Sequence, residues 1–347
     1  MNARSVAYDH GWLKSEAVGA AVLSIGNITS GGTGKTPLTS FLIEQFSARG
    51  LRIGVVSRGY GGTEKGPLKV LNDGSGECAA RFGDEPAWLA ARHSGVPVVI
   101  GADRVAAARF LLQNSPVDLV LADDAFQHRR LKRGFDIVVI DATEPEWHYR
   151  ALPLGRLREG FSALKRAQVV FLTKTNLVAE VKLDWIRGQV RKIQKLFDFK
   201  IFEFESHLVG IAPLSSAISS RPRLSANETK GNKVILASGI GRPQTFHQLV
   251  ERDLGMVVLD HVVFADHQRY SDRNLEVVRR RAQACAADRI VVTEKDAAKI
   301  AGLVGAKAET RASADCVQNP EIWVTRLETS PKTDLKEFYE AVHRSLF

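Results

Sequence analysis

Six short apolar runs recur through the first half of the chain, at 21–25, 52–57, 97–100, 118–122, 135–141 and 169–173. Continuous apolar runs of this length are typical of strands that are buried on both faces of a parallel sheet. Segments with helical periodicity separate several of the runs, and in the first of them Leu38, Leu42 and Phe46 share one face. Strands that alternate with helices predict an α/β fold with a doubly wound, mostly parallel sheet.

This alternation is interrupted between residues 201 and 232. Residues 202–205 alternate as an exposed strand does, and a stretch rich in Ser, Pro and Arg follows at 213–223. A new strand, glycine turn and helix then begin at 234–243, with Pro243 in the first turn of the helix. We therefore predict a larger first domain over 1–200, a linker with a hinge over 201–232 and a smaller α/β domain over 233–325. Residues 326–347 are predicted to hold a C-terminal helix that docks through one apolar face: Leu335, Phe338, Val342 and Leu346.

Composition and charge narrow the class of protein. The chain has 347 residues, 44% of them hydrophobic and 25% charged, which is ordinary for a globular protein with two domains. Its net charge of +9 favours a polyanionic partner: nucleic acid, an anionic membrane surface or phosphorylated substrates. No sequence motif supports nucleic acid.

The cysteines and the hydropathy indicate where the protein works. The three cysteines are far apart, which argues against a zinc site or disulfides and fits a reducing compartment. No apolar run is long enough to span a bilayer, so we expect a protein of the cytoplasmic side.

Residues 26–37 form a glycine-rich loop that ends in Lys35-Thr36-Pro37; the apolar strand 21–25 precedes it and a helix follows, which is the order of a P-loop. In such a loop the backbone N–H groups surround phosphates at the helix N-terminus, the lysine reaches the β- and γ-phosphates and the hydroxyl binds Mg²⁺. The alternative is a structural glycine turn. Thr29 stands where the consensus has glycine, and Ser30 stands where a deviant P-loop subclass has a second lysine. The predicted phosphate-binding residues are Gly31, Gly32, Thr33, Gly34, Lys35, Thr36 and Pro37.

Two apolar strands downstream of the P-loop end in acidic residues. Asp123 and Asp124 follow the run at 118–122, and Asp141 ends the run at 135–141. A carboxylate at a strand end after a P-loop is the pattern of a Mg²⁺-binding Walker B residue. We rank Asp123-Asp124 above Asp141; a turn with solvated acids is the alternative. The loop at 152–159 contains Arg156, Arg158 and Glu159. Such a loop is suited to close over phosphates, with its two arginines neutralising the charge that develops at the transferred group.

Four further segments have both a structural and a functional interpretation. Asp84 lies two residues before Pro86, at a position where a helix N-cap is expected. Capping explains this residue fully, and the functional alternative is a catalytic role. The turn 58–62 lies at a strand's carboxyl end, where ligands bind in open α/β sheets, and the basic run 127–133 suits an anionic substrate or lipid surface. His267 follows a strand and an aspartate, so it titrates near neutrality or serves only the structure.

Taken together, the motifs resemble one family, the tetraacyldisaccharide 4′-kinases of lipid A biosynthesis. The segments that carry the resemblance follow one another along the chain at 24–37, 57–62, 83–86, 123–128, 154–160, 239–243, 264–267 and 293–296. The resemblance implies transfer of the γ-phosphate of ATP to the 4′-hydroxyl of an acylated glucosamine disaccharide 1-phosphate, giving lipid IVA. It also implies a peripheral protein at the cytoplasmic face of the inner membrane of a Gram-negative bacterium, and we expect a monomer.

The family resemblance assigns roles to individual residues. Asp84 takes the proton of the hydroxyl, paired with His267 across a cleft, and Lys35 acts on the phosphates. ATP is held by the P-loop and Arg158, and Mg²⁺ by Thr36, Asp123, Asp124 and Glu159. The candidates for the substrate headgroup are Tyr60, Arg104, Gln127 and His128.

Two departures from the family pattern and two rival functions remain open at the sequence level. We expect the membrane-resting N-terminal helix of the family to be short or missing, and Gln268 stands where a second histidine is common. The first rival is a switch or targeting ATPase of the deviant P-loop subclass, regulated by a partner, which steady ATP hydrolysis without lipid would favour. The second is a P-loop kinase for a small water-soluble substrate.

Overall fold

The computed structural model describes residues 3–31, 33–71, 77–214, 223–266, 268–308 and 320–347. The strands within them are β1 (Ala21–Asn27), β2 (Ile53–Ser57), β3 (Leu68–Lys69), β4 (Val98–Ile100), β5 (Leu119–Asp123), β6 (Phe135–Asp141), β7 (Val169–Thr173), β8 (Lys200–Pro213), β9 (Lys233–Ser238), β10 (Val257–Val263), β11 (Arg289–Val292) and β12 (Glu321–Pro331). The helices are α1 (Ala3–Asp9), α2 (Lys35–Ser47), α3 (Cys78–Phe82), α4 (Asp84–Arg92), α5 (Arg104–Asn114), α6 (Glu180–Gln194), α7 (Ala226–Thr229), α8 (Pro243–Leu254), α9 (Asp272–Ala284), α10 (Glu294–Ala308) and α11 (Lys336–Leu346).

All of these strands belong to one sheet, in the order β10-β9-β11-β12-β8-β7-β6-β1-β5-β2-β4-β3. The six predicted apolar runs form β1, β2, β4, β5, β6 and β7, which pair in parallel. Almost every residue of these strands is buried, because helices and loops cover both faces of the sheet. The predicted α/β fold with a mostly parallel sheet is confirmed.

The segment predicted as a linker is where the structure departs most from expectation. Residues 200–203 of β8 pair in parallel with β7, and residues 204–213 pair antiparallel with β12. Phe204 is fully buried, and Glu203 on the opposite face forms an ion pair with Arg187 at 2.6 Å. The prediction that residues 202–205 form an exposed strand is therefore wrong. The division of the chain into two domains with a hinge stays a prediction, and residues 215–222 of the predicted linker lie outside the described part of the chain.

Strands β10, β9, β11 and β12 form a second parallel block that runs opposite to the first. The reversal arises because β12 pairs antiparallel with β8. Since β8 continues past the carboxyl end of β7 and β12 returns along it, the carboxyl ends of the two blocks face each other. The loops that follow β1 and β9 consequently line the same cavity.

The C-terminal helix α11 packs on the first block. Phe338 is fully buried and lies against Phe46, Phe135 and Phe171 at ring-centroid distances of 6.2, 6.0 and 5.2 Å. Burial of a phenylalanine side chain contributes roughly 2–3 kcal/mol. The helix begins at Lys336, and residues 326–331 of the predicted segment belong to β12.

Helix α1 lies against the loop that follows β5. Arg129 donates to the Ser5 carbonyl at 2.8 Å and pairs with Asp9 at 2.6 Å. Among the described residues, none of the helices combines the length and the apolar character that crossing a lipid bilayer requires.

Candidate functional site

The P-loop connects the buried strand β1 to helix α2. Gly34 precedes the helix with a φ of +81°, a left-handed conformation that disfavours a residue with a side chain. Asn27 Nδ2 donates to Thr33 Oγ1 at 3.0 Å, and Thr173 Oγ1 at the end of β7 donates to the Thr33 carbonyl at 3.3 Å. These contacts fix the loop from both sides. Gly32 lies outside the described residues.

The segment after β5 packs directly on the P-loop strand. A Cβ on Gly26 would lie 2.4 Å from Phe126 Cβ, so only glycine permits this approach. The approach places Asp124 Oδ1 3.4 Å from Lys35 Nζ, and Arg158 contacts the same carboxylate at 3.3 Å. Although Asp124 is largely buried, the charges of Lys35 and Arg158 lower the pKa of its carboxyl.

Asp123 is fully buried beside this cluster. Its Oδ1 accepts a hydrogen bond from Thr39 at 3.2 Å, and its Oδ2 has no hydrogen-bond partner. Burial, together with the charge of Glu85 and against that of Lys35, raises the pKa of the Asp123 carboxyl to about 7. Burial of a carboxylate oxygen without a partner costs free energy, which makes this oxygen a candidate ligand for a cation.

The loop at 154–160 is attached to the P-loop by backbone hydrogen bonds. Ser30 N donates to the Arg156 carbonyl at 2.7 Å, and Arg158 N donates to the Ile28 carbonyl at 2.8 Å. Glu159, a predicted Mg²⁺ ligand, forms an ion pair with Arg166 at 2.7 Å. A metal-binding role for Glu159 would have to use its other carboxylate oxygen or break this pair.

A cavity of about 210 Å³ lies between the two blocks of the sheet. One end is lined by the P-loop residues Lys35 and Thr36 and by Lys174 after β7. The other end is lined by apolar side chains on β8, on β12, on α8 and in the turn after β9: Leu208, Ile240, Phe246, Leu249 and Leu327. A molecule with a polyanionic end and a planar apolar end fits this division of charge.

Asp84 is the first residue of α4 and does not cap it. The N-cap position belongs to Gly83, whose φ is +95°. A Cβ on Gly83 would lie 2.5 Å from the Tyr60 carbonyl oxygen, so this position requires glycine. The capping interpretation of Asp84 is therefore wrong. Its Oδ2 lies 2.8 Å from Lys299 Nζ on α10, across the junction of the two blocks.

His267, the expected partner of Asp84, lies outside the described residues. Its neighbours approach the same junction: Asp266 lines the cavity, and the Tyr270 hydroxyl would lie 3.2 Å from a Cβ on Gly239. Burial and the charges of Asp296 and Asp84 raise the pKa of Tyr270. The dyad of Asp84 and His267 stays a prediction.

The four predicted headgroup residues occupy different settings. Tyr60 is 66% exposed, whereas Arg104 is buried and donates to the Gly101 carbonyl at 2.9 Å. Burial lowers the pKa of Arg104 to about 10, against the charges of Asp124 and Asp123. Gln127 donates to the Asn27 carbonyl at 2.8 Å, and the carbonyl of His128 accepts from Arg133 at 2.8 Å.

Sequence reasoning missed two basic residues of the cavity wall. Lys174 follows β7 with a φ of +58° and pairs with Asp141 at 2.6 Å. Arg242, in the turn after β9, donates to Thr143 Oγ1 at 2.6 Å and pairs with Glu144. Lys174 had the same signal as Asp123, a polar residue directly after an apolar strand; Arg242 had only its place in a glycine turn.

Several known proteins are similar to this chain in sequence or in fold. A family model described as Tetraacyldisaccharide-1-P 4′-kinase matches residues 1–345. A tetraacyldisaccharide 4′-kinase from Bdellovibrio bacteriovorus is 36% identical over 296 residues, which are 84% of this chain and 83% of the relative. One from Chromobacterium violaceum is 35% identical over 337 residues, or 97% and 88% of the two chains.

Among solved structures, LpxK from Aquifex aeolicus, crystallised in complex with ATP, has the same fold. Its TM-score is 0.74 at 24% identity, covering 100% of this chain and 95% of that one. The family model spans nearly the whole chain, and both curated relatives are more than 30% identical to it. On this evidence the chain belongs to the tetraacyldisaccharide 4′-kinase family.

Proposed function

We propose that this protein transfers the γ-phosphate of ATP to the 4′-hydroxyl of tetraacyldisaccharide 1-phosphate, giving lipid IVA. The observation that carries the proposal is the family membership, joined to a P-loop that opens into a cavity with a basic end and an apolar end. The family membership favours this kinase over a switch ATPase and over a kinase for a small soluble substrate.

ATP would occupy the cavity between the two blocks. The P-loop amides, Lys35 and Arg158 are suited to the triphosphate, since charge-assisted hydrogen bonds from lysine and arginine are the strong ones. The apolar end beyond Lys174 is suited to the adenine ring. The Aquifex relative was crystallised with ATP, which supports this assignment.

The residues present fit a Mg²⁺ ion beside the P-loop. Among the described residues no three His, Cys, Asp or Glu side chains converge on one point, yet Mg²⁺ commonly uses one or two carboxylates, with phosphate and water oxygens completing its shell. The unpartnered Asp123 Oδ2, Asp124 and the Thr36 hydroxyl would supply the protein oxygens, with Glu159 as a further candidate. When bound, the ion would neutralise charge on the transferred phosphoryl group.

Asp84 would accept the proton of the 4′-hydroxyl. A hydroxyl of high pKa needs a positioned base, whose contribution is typically 10²–10⁴-fold in rate. His267 would hold Asp84 from the other block, and Lys35 would stabilise the charge that develops on the phosphates. The predicted division at 1–200, 201–232, 233–325 and 326–347 would then give a cleft that excludes water when it closes.

The lipid would enter from a membrane surface. Tyr60, Arg104, Gln127 and His128 are the candidates for the headgroup and its 1-phosphate. The net charge of +9 suits the anionic cytoplasmic face of the inner membrane, where a monomer would bind peripherally. Trp12 and Leu154, 76% and 77% exposed, are apolar side chains suited to that contact.

The deciding experiment follows labelled γ-phosphate from ATP into tetraacylated disaccharide 1-phosphate in detergent micelles with Mg²⁺. The expected result is lipid-dependent transfer, absent with ATP alone and reduced at least about 100-fold in Asp84→Ala and His267→Ala with ATP binding retained. Asp198→Ala, an exposed aspartate on the same block, is the control for each. ATP hydrolysis without transfer would contradict the proposal and favour the switch ATPase, and transfer only to a water-soluble hydroxyl would favour the second rival.

A further inference from the structure

The contact between Lys299 and Asp84 joins the two blocks of the sheet at the proposed base. Lys299 projects from α10, which follows β11, and Asp84 opens α4 in the first block. Their Nζ and Oδ2 atoms are 2.8 Å apart, and the side chains retain only 7% and 14% of their exposure. A charge pair this close and this sheltered is poorly screened by water and salt, unlike a surface pair.

No sequence motif required this lysine to meet Asp84. The two residues are separated by more than 200 positions, and a second pair joins the same helices, Lys295 to Glu85 at 3.8 Å. Asp296 on α10 is held by Thr293 at 2.7 Å and by the Gly239 amide at 3.1 Å, so the start of α10 is fixed against the turn after β9. Lys299 therefore reaches Asp84 from a rigid element.

The charged and titratable groups around Asp84 come from three elements. On α10, Lys299 contacts Asp84, Lys295 pairs with Glu85, and Asp296 interacts electrostatically with Lys299. In the segment after β10, Tyr270 interacts electrostatically with Asp84, and on the helix of Asp84 itself the charge of Glu85 acts on Asp123. Tyr270 and Asp296 bear on the same junction without supplying a positive charge. Within the described residues, Lys299 is the cation whose ammonium approaches Asp84 most closely.

We propose that Lys299 is a positioning residue for the base: its ammonium keeps the Asp84 carboxylate ionised and oriented toward the junction until the substrate hydroxyl binds to that carboxylate. The inference rests on the proposed function, because it gives Asp84 the role of base. A nearby ammonium favours the ionised form of a carboxyl group and typically lowers its pKa by about 1 to 3. Lys299 thus sets the lowest pH at which Asp84 can accept a proton.

The alternative is an ion pair that serves stability alone. Loss of such a pair lowers the melting temperature, but it leaves the pH dependence of the surviving activity unchanged. The acid limb of the kcat/KM profile reports the ionisation of the essential base in the free enzyme. That limb therefore separates the two roles.

The experiment measures lipid-dependent phosphate transfer from pH 5 to 9, and the melting temperature, for wild type, Lys299→Met and Lys299→Arg. In Lys299→Met we expect kcat to fall at least about 10-fold and the acid limb to move up by about one pH unit or more, while the KM for ATP changes little. Lys299→Arg, which keeps the charge, should restore the limb to within about 0.3 of a pH unit of wild type. Lys200→Met is the matched control, because Lys200 pairs with Glu337 at 2.5 Å far from the cavity lining.

The outcomes distinguish this inference from the proposed function. Wild-type protein that transfers no phosphate to lipid overturns both. Transfer by wild type with an unchanged acid limb in Lys299→Met, whatever its melting temperature, overturns the positioning role and leaves the kinase. If Lys299→Met does not fold, Lys299→Gln, which removes the charge and keeps a hydrogen-bonding group, is judged by the same limb.

Discussion

Asp123 and Asp141 end the two strands that flank the P-loop strand, and they differ sharply in their surroundings. Both are essentially inaccessible to water. Asp141 is saturated: Lys174 Nζ lies at 2.6 Å, and Thr143 donates through its amide at 2.8 Å and its hydroxyl at 2.6 Å. Asp123 has one donor, Thr39, and an Oδ2 without any.

The surroundings give the two carboxyls opposite electrostatics. Burial opposes ionisation of Asp141, yet the charges of Lys174 and Arg242 lower its pKa. At Asp123 burial dominates and raises the pKa to about 7. Two residues with the same sequence signal, an apolar strand that ends in aspartate, therefore differ in their surroundings: Asp141 holds Lys174 in the cavity wall, and Asp123 retains an unpartnered oxygen that we propose binds a cation. The ranking of Asp123-Asp124 above Asp141 as metal ligands stays a prediction.

The sharpest separation should come from activity. Asp123→Asn is expected to lower kcat for phosphate transfer about 1,000-fold, because an amide cannot replace a charged oxygen ligand of Mg²⁺. Asp141→Asn should lower kcat far less, since its carboxylate is committed to Lys174 and Thr143. Steady-state transfer assays at saturating Mg²⁺ measure both. Equal losses in the two variants would abolish the distinction.

Stability should show the reverse order. Asp141→Asn is expected to lower the free energy of unfolding by about 3 kcal/mol, because it leaves the ammonium of Lys174, a side chain only 15% exposed, without its charge partner. Asp118→Asn is the matched control: Asp118 pairs with Arg52 at 2.5 Å on the surface, where water and salt screen the pair and its loss costs little stability. Urea unfolding at pH 7 measures each loss. A loss at Asp141 no larger than at Asp118 would contradict the assignment.

The pH dependence of stability should also have opposite signs. With its pKa raised from 3.8 to about 7, folded Asp123 keeps a proton that the unfolded chain releases, so this residue destabilises the fold as pH rises from 4 to 7. Asp123→Asn should therefore gain stability over wild type progressively across that range, when both are unfolded by urea without Mg²⁺ or nucleotide. Asp141, whose pKa is lowered, contributes stability that is lost only as pH falls below its unfolded value. A difference between Asp123→Asn and wild type that does not change from pH 4 to 8 would refute the raised pKa.

The smallest expected effect concerns Glu85, whose charge acts on Asp123. Burial is the largest cause of the raised pKa of Asp123, and the charge of Glu85 is the second largest. Glu85→Gln should thus move the pH midpoint of the Asp123-dependent stability change down by less than about one unit. Glu64→Gln, at an exposed pair with Arg81, is the control and should leave the midpoint unchanged. An upward shift in Glu85→Gln would contradict the sign of this interaction.

Local patterns predicted much of this molecule. The six apolar strands were predictable because a parallel strand covered on both faces is apolar along most of its length. Runs of this kind are also too short to be helices. The P-loop and its helix were predictable because the glycines and Lys35-Thr36 are contiguous. Strand β8 was not recognised as a buried strand: Phe202 and Phe204 alternate with Glu203, and alternation usually means that one face meets solvent. Here Arg187 covers that face and pairs with Glu203.

Contacts between distant segments could not be predicted in this way. Asp84 with Lys299, Lys174 with Asp141 and Arg242 with Glu144 each depend on how strands are ordered in space. The antiparallel register of β12 on β8 creates two of these meetings, because it turns the second block to face the first. One sequence carries no direct signal of that register, so the pairs that connect the blocks appear only in the folded molecule.

Strand β8 also sets the mechanics of the cavity. The chain passes between the two blocks along β8 and returns along β12, and backbone hydrogen bonds tie these two crossings together over nine paired residues. The two blocks can then move relative to each other only if this two-stranded ribbon twists, and its hydrogen bonds resist that deformation. We expect the paired strands β8 and β12 to set the width of the cavity at rest. They should also limit how far the two blocks can move apart, because hydrogen-bonded strands can be twisted only a little before their bonds break.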